Sequence, residues 1–201
     1  MTTKADIIID AATTVFTAYG YNSPSIDKIC ETAKVSKMTF YRHFEDKDKL
    51  IDAVLTKKHQ QFIDAIQAIT KTSPTAKEQL WGIFQYYQAR FEQETFNGCM
   101  FSRALFETGN TNPKIQQLNS AFRTEMLSEL QAILRAVLKP EAAERISTAI
   151  LKLIDGAIIA QASNNHELQE YPPITTAWQA VKALIYAEGG NSNPTRLLTF
   201  F

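Results

Sequence analysis

The period of the apolar residues constrains this chain more than anything else in it. Along nearly the whole length they recur three and four positions apart, the spacing that lines one face of an α-helix. Seven glycines and seven prolines punctuate 201 residues, and most fall between the periodic stretches. Ile8, Ala11, Ala12, Val15, Phe16 and Tyr19 form one stripe that closes at Gly20, where a left-handed C-terminal cap is expected. After a turn at 21–24, Ser25 is placed to cap a short helix with Ile26, Ile29, Cys30 and Ala33 on one face. Ser36 is placed to cap the next, which carries Phe40 and Phe44, and Asp46 a long helix over 46–70 bearing Leu50, Val54, Phe62, Ile66 and Ile69. A break at 71–74 precedes a helix marked by Leu80, Phe84, Tyr87 and Phe91, then a shorter one over 100–106. The stripe Leu118, Phe122, Met126, Leu130, Ile133 and Val137 ends at Pro140, and two more helices follow over 145–163 and 175–188. The expected fold is all-α, with about nine helices.

Several function classes are excluded by what the chain lacks. Lys plus Arg number 21 and so do Asp plus Glu, so nucleic-acid binding would have to come from a local patch. Cys30 and Cys99 alone make neither a disulfide framework nor a CxxC site, which fits a reducing compartment. Residues 1–10 lack the basic head and long apolar stretch of a signal peptide, and no run approaches the roughly 18 apolar residues of a membrane span. A cytoplasmic location without membrane association is expected. None of His43, His59 or His166 follows an acid by three residues, as a di-iron bundle would need, and no GxSxG, GxGxxG, HExxH or phosphate-binding loop is present. The chain is therefore expected not to be an enzyme, with no cofactor and no metal. His59 is expected to face solvent and Cys99 to be a small buried hydrophobe.

Residues 25–44 read as helix, tight turn, helix, with Ile26, Ile29, Ala33, Val35, Phe40 and Phe44 on an inner face. Lys37, Met38, Thr39, Tyr41 and His43 lie off that line and are free to meet a partner. Over 33–44 the charged residues are Lys34, Lys37 and Arg42, with no acid, so a local basic patch exists after all. Cations, hydroxyls and helix-start amides suit phosphate oxygens, and Met and Thr offer apolar contact to a thymine methyl. Beside a DNA reader stands the alternative of a helical interaction module that does not bind DNA; a helical-bundle enzyme is the alternative that the missing motifs argue against.

Gly20-Tyr21, Ser25-Ile26, Ile29, Ala33-Lys34-Val35-Ser36, Thr39-Phe40-Tyr41-Arg42-His43-Phe44, Lys47 and Leu50 together resemble the DNA-binding domain of the TetR family of transcriptional regulators. The resemblance covers the first quarter of the chain. It implies a three-helix helix-turn-helix DNA-binding domain over 1–46 and a helical effector-binding and dimerisation domain over 47–201. It further implies a homodimeric repressor on a palindromic double-stranded DNA operator, released by a small, largely apolar effector. Residue by residue, it implies that Ser25 and Ser36 cap helices against phosphates, that Lys37, Met38 and Thr39 face base edges, and that Tyr41, His43 and Lys47 grip the backbone. The family often has glycine where this chain has Lys34. That residue is then either left-handed, at a cost of about 1–2 kcal/mol, or part of a differently shaped turn. Glycine is also common in the family where Met38 stands, which implies a bulkier base-facing surface here.

Residues 81–122 are crowded with large side chains: Trp81, Phe84, Tyr86, Tyr87, Phe91, Phe96, Cys99, Met100, Phe101, Phe106 and Phe122. Plain core accounts for such rings, and the resemblance adds an effector cavity walled by Phe62, Ile66, Trp81, Phe84, Tyr87, Phe91, Cys99, Met100, Phe101 and Phe122. Arg90, Arg103 and Glu107 would be its polar groups or else surface. From the last two helices it implies a dimer interface of Ile150, Leu153, Gly156, Ala157, Ala160, Trp178, Val181 and Ile185. The apolar end at 197–201 is expected to dock on the rest of the chain.

Overall fold

The computed structural model describes residues 2–109, 111–163 and 171–189. These form α1 (Lys4–Tyr19), α2 (Ile26–Ala33), α3 (Lys37–His43), α4 (Lys47–Thr72), α5 (Ala76–Phe91), α6 (Met100–Thr108), α7 (Pro113–Leu134), α8 (Pro140–Ala162) and α9 (Pro173–Gly189), with no strand among the described residues. His166 and the apolar segment 197–201 lie outside them.

Local chemistry sets the helix boundaries. Thr3 and Asp6 form a reciprocal capping box at α1, as do Thr75 and Glu78 at α5, each satisfying amide donors that a helix start leaves orphaned. Asp46 accepts from the Lys49 amide at 2.8 Å, the expected cap of α4. Pro140 does more than end the preceding run. α7 already stops at Leu134, leaving Val137 outside it, and Pro140 opens α8, where a missing N–H costs nothing.

Gly20 closes α1, its amide donating to the Phe16 carbonyl at 2.9 Å, but it is not left-handed helical. Its φ of 81° and ψ of −174° lie in an extended region open essentially to glycine alone. The sharper exit turns Tyr21 inward until its ring is 4.9 Å from Phe16. Tyr21 thereby takes the core place expected of Tyr19, which is 61 % exposed.

The chain divides into two compact units. One comprises Met1–Phe62 and Cys99–Phe122, and its core holds Ile8, Phe16, Tyr21, Ile29, Phe40, Leu50, Ile51 and Leu55, all essentially inaccessible. Fully burying a side chain of this size contributes about 1.5–3 kcal/mol. The other comprises Ile63–Gly98 and Arg123–Phe201. There α8 and α9 pack antiparallel, with Arg145 near the start of α8 bonded to Glu188 near the end of α9 at 2.9 Å. Ile150, Ile154, Ala157, Val181 and Ile185 are buried in this unit. α5 adds Trp81 and Phe84, whose rings stand 5.2 and 5.1 Å from Trp178. Among the described residues no helix is long and apolar enough to cross a membrane.

Candidate nucleic-acid interface

The helix-turn-helix is assembled from local hydrogen bonds around a small core. Ser25 Oγ accepts from the Lys28 amide at 3.2 Å and Ser36 Oγ from the Thr39 amide at 3.1 Å, so both expected caps form. Between them Lys34 has φ 53° and ψ 46°, left-handed despite its side chain. The Val35 amide then reaches back to the Cys30 carbonyl at 3.0 Å, the Schellman pattern. Of the two expected conformations the chain adopts the left-handed one, with its strain. Inside, Ile29, Ala33, Phe40 and Phe44 are buried, and Phe40 contacts Tyr41 and Phe44 with centroids 5.3 and 5.9 Å apart. Ile26 and Val35 are only half-buried, because they sit at the edge of the pair.

The outer face of α3 is open. Met38 is 72 % and Tyr41 54 % exposed; Ser36, Lys37, Arg42 and His43 are exposed, and Thr39 is half-buried with its hydroxyl 3.0 Å from Ser36 Oγ. Lys37 Nζ meets Asp27 Oδ1 at 2.7 Å, and the hydrogen bond and charge of Asp27 push the lysine pKa up. Both partners face water, so the pair is weak and readily exchanged for a phosphate or base edge. Lys47, expected on the DNA backbone, donates instead to the Asn22 carbonyl at 2.8 Å, and partial burial lowers its pKa. Its ammonium carries three donors, so this bond leaves others for an outside acceptor.

Arg103 and Glu107 of α6, expected in an effector cavity or at the surface, form a polar cluster with the α1–α2 turn. Glu107 Oε2 accepts from the Tyr21 and Asn22 amides at 2.7 and 3.1 Å, and Oε1 accepts from Arg103 Nε at 2.7 Å. Arg103 also donates to the Thr17 carbonyl at 3.2 Å, and Tyr21 Oη to the Met100 carbonyl at 3.1 Å. Burial alone would raise the Glu107 pKa; the bonds from Arg103, Asn22 and Tyr21 outweigh it and hold the carboxyl below its usual range. Burial also carries the Tyr21 hydroxyl well above the ordinary phenol range. Arg103 and Glu107 are thus tied to the α1–α2 turn, while Arg90 lies over the Tyr86 ring at 5.8 Å.

The residues expected around an effector divide between the two units. In the first, Phe101 stacks on Phe122 with centroids 4.1 Å apart, and Phe62 meets Phe122 edge-on at 5.0 Å. His59 is half-buried there, edge-on to Phe101 and Phe122 at 6.2 and 5.7 Å, and not in solvent as expected. Its place one turn after buried Leu55 and one turn before Ile63 on α4 puts it on the apolar stripe. Met100 and Cys99 are half-exposed in the same unit. In the second, Ile66, Phe84, Tyr87 and Phe91 are buried and Trp81 stands beside Trp178. Phe106 is exposed and joins neither group. Of the residues expected at a dimer interface, Ile150, Ala157, Trp178, Val181 and Ile185 are buried within the single chain, whereas Leu153, Gly156 and Ala160 keep accessible surface. Among the described residues no group of His, Cys, Asp or Glu is placed to hold a metal ion.

Known proteins match both the interface and the whole architecture. Residues 8–54 match the family model described as bacterial regulatory proteins, tetR family. The fatty acid metabolism regulator protein of Bacillus subtilis is 36% identical over 73 residues, which span 36% of this chain and 38% of that protein. The HTH-type transcriptional regulator BetI of Rhizobium meliloti is 23% identical over 190 residues, 94% of this chain and 92% of that one. A crystal structure of a TetR-family transcriptional regulator from Streptomyces coelicolor superposes with a TM-score of 0.83 at 26% identity, covering 92% of this chain and 96% of that chain.

Proposed function

The chain belongs to the TetR family of bacterial regulatory proteins and is a DNA-binding transcriptional regulator, not an enzyme, and we propose that it is a cytoplasmic homodimeric repressor released from a palindromic operator by a small, largely apolar effector. The observation that carries this reading is the outer face of α3, where a cation, a thioether, a phenol and an imidazole stand exposed beside the Ser36 and Thr39 hydroxyls on a capped helix packed through Phe40. Lys37, Met38 and Thr39 read base edges, while Ser25, Ser36, Tyr41, His43 and Lys47 contact the backbone. Residues 1–46 form the DNA-binding domain and 47–201 the domain for effector and dimer.

Dimerisation through α8 and α9 is supported by their open sides. Ile159 and Tyr186 are 70 % and 65 % exposed, and a side chain at Gly156 would meet nothing within 4 Å. A two-fold dimer would set its α3 helices in successive major grooves about 34–36 Å apart, or at a longer spacing. The effector binds among the aromatic side chains of 47–201. To move a population from 99:1 to 1:99 it must prefer the non-binding form by about 5.5 kcal/mol.

The test is titration of duplexes that the protein selects from genomic fragments, over a range of salt. Log affinity should fall steeply with log salt, by about 0.9 per phosphate neutralised. Any true effector must bind more weakly, by the same factor, in the presence of the selected duplex. Absence of tight DNA binding at low salt would overturn the assignment of α3, and an effector indifferent to DNA would overturn the release mechanism.

A further inference from the structure

We propose that Glu107 of α6, acting through Asn22, is a positioning residue for DNA binding that holds both ends of the helix-turn-helix at one turn of the chain. The inference rests on α2–α3 being the DNA-reading element. That element joins the rest of the protein at only two places in sequence: the 20–25 turn after α1, and the 44–46 connection to α4. Asn22 lies in the first, and Lys47 begins α4 just past the second. Lys47 Nζ donates to the Asn22 carbonyl at 2.8 Å, so the two ends of the element meet at a single peptide group.

α6 takes hold of that same residue. The Asn22 amide donates to Glu107 Oε2 at 3.1 Å, and its side-chain Nδ2 to the Glu107 main-chain carbonyl at 3.0 Å. The Tyr21 amide adds a 2.7 Å bond to Oε2. Arg103 fixes the carboxylate through Oε1 at 2.7 Å and reaches the Thr17 carbonyl in the last turn of α1. These partners stand 85 and 86 positions away from α6 in sequence.

Two further features show a contact the chain is shaped around. At position 20 φ is 81°, a backbone that favours glycine, and a Cβ there would stand 2.6 Å from Glu107 Oε1, so any side chain would push the carboxylate off the Tyr21 and Asn22 amides. The Glu107 carbonyl belongs to the last turn of α6, where a helix runs out of its own amide donors, and Asn22 Nδ2 donates to it at 3.0 Å. Charge-assisted bonds to a carboxylate are about twice as strong as neutral ones. Without them the turn is free to hold α2 and α3 in orientations that do not fit a groove. Apparent affinity then falls in proportion to the fraction of molecules still competent.

The experiment uses the full chain and a duplex selected by the unmodified protein from a random-sequence library. Affinity and amide hydrogen exchange are measured well below the melting temperature of every variant. Glu107→Gln should speed exchange at Tyr21, Asn22 and throughout α3, and weaken duplex binding about tenfold. Asn22→Ala should weaken it about threefold. The double variant should bind about as well as Glu107→Gln alone, because both substitutions act through one contact. A Glu107→Gln protein that melts earlier yet binds the duplex within twofold of the original, with α3 exchange unchanged, would show Glu107 to be structural only and overturn the proposal. If the unmodified protein selects no duplex, it is the DNA-reading assignment of α3 that fails. Exchange in α3 then decides by itself whether Glu107 positions that helix.

Discussion

The helix-turn-helix and the α8–α9 pair are both two helices in contact, yet they are held by different means. α2 and α3 are short, eight and seven residues, and lean on caps, a left-handed lysine and a few buried residues around Phe40. α8 and α9 are long, 23 and 17 residues, and lean on apolar area, with the Arg145–Glu188 ion pair between their ends. Where a surface must stay open to a polar partner, little area remains to bury, so each polar residue has a distinct geometric duty. Where the purpose is packing, many apolar residues are interchangeable. Specific sequence patterns therefore collect in the first region and are diffuse in the second.

The comparison is broken most directly by emptying each core. Phe40→Ala and Trp178→Ala each remove a buried ring, at a cost of about 3–5 kcal/mol. Phe40→Ala should abolish duplex binding and leave self-association intact; Trp178→Ala should lower the melting temperature as much and weaken self-association first. Thermal melting, gel shift and sedimentation velocity read the three quantities. Loss of both functions from either substitution would mean that the two regions do not unfold independently.

A smaller change sharpens what the second region is for. Ile159 is the large exposed apolar residue of α8. Ile159→Glu should weaken dimerisation by about 2 kcal/mol if that face meets a second copy, and shift monomer stability by no more than about 0.5 kcal/mol as a surface change. Unchanged dimerisation would move the interface elsewhere.

These differences track how much was legible in the sequence. The caps at Ser25, Ser36 and Asp46 are three-residue geometries, so residue type and spacing specify them. His59 was readable too: its neighbours Leu55, Phe62, Ile63 and Ile66 are buried at helical spacing, which outweighs the polarity of one imidazole. Contacts between distant segments leave no such mark. Nothing at Asn22 announces a carboxylate 85 positions later, and Asp27 gives no sign that it pairs with Lys37. In α8 and α9 the pattern shows that Ile150, Trp178, Val181 and Ile185 are buried but not by what. Apolar burial is non-directional, and packing inside one chain or between two draws on the same residues.

The smallest expected effect lies at Lys34, where the economy of the first region is most exposed. A non-glycine residue in the left-handed conformation is strained by about 1–2 kcal/mol, and Lys34 stands there with φ 53°. Lys34→Gly relieves that strain, but glycine also loses more freedom on folding, which takes back about 0.4–1 kcal/mol. The net gain should be about 0.5–1 kcal/mol, a rise of roughly 1–4 °C in melting temperature for a chain of this size. The turn itself should survive, since the bonds from the Lys34 and Val35 amides to Glu31 and Cys30 involve only main chain. Duplex affinity should move the other way. If the exposed ammonium meets a phosphate, its loss lowers the salt dependence by about 0.9 per protomer in the log–log slope. A more stable protein that binds DNA less tightly would show the strain at Lys34 to be retained for its charge. Gain in stability with no change in salt slope would mean that the cation contributes nothing at the groove.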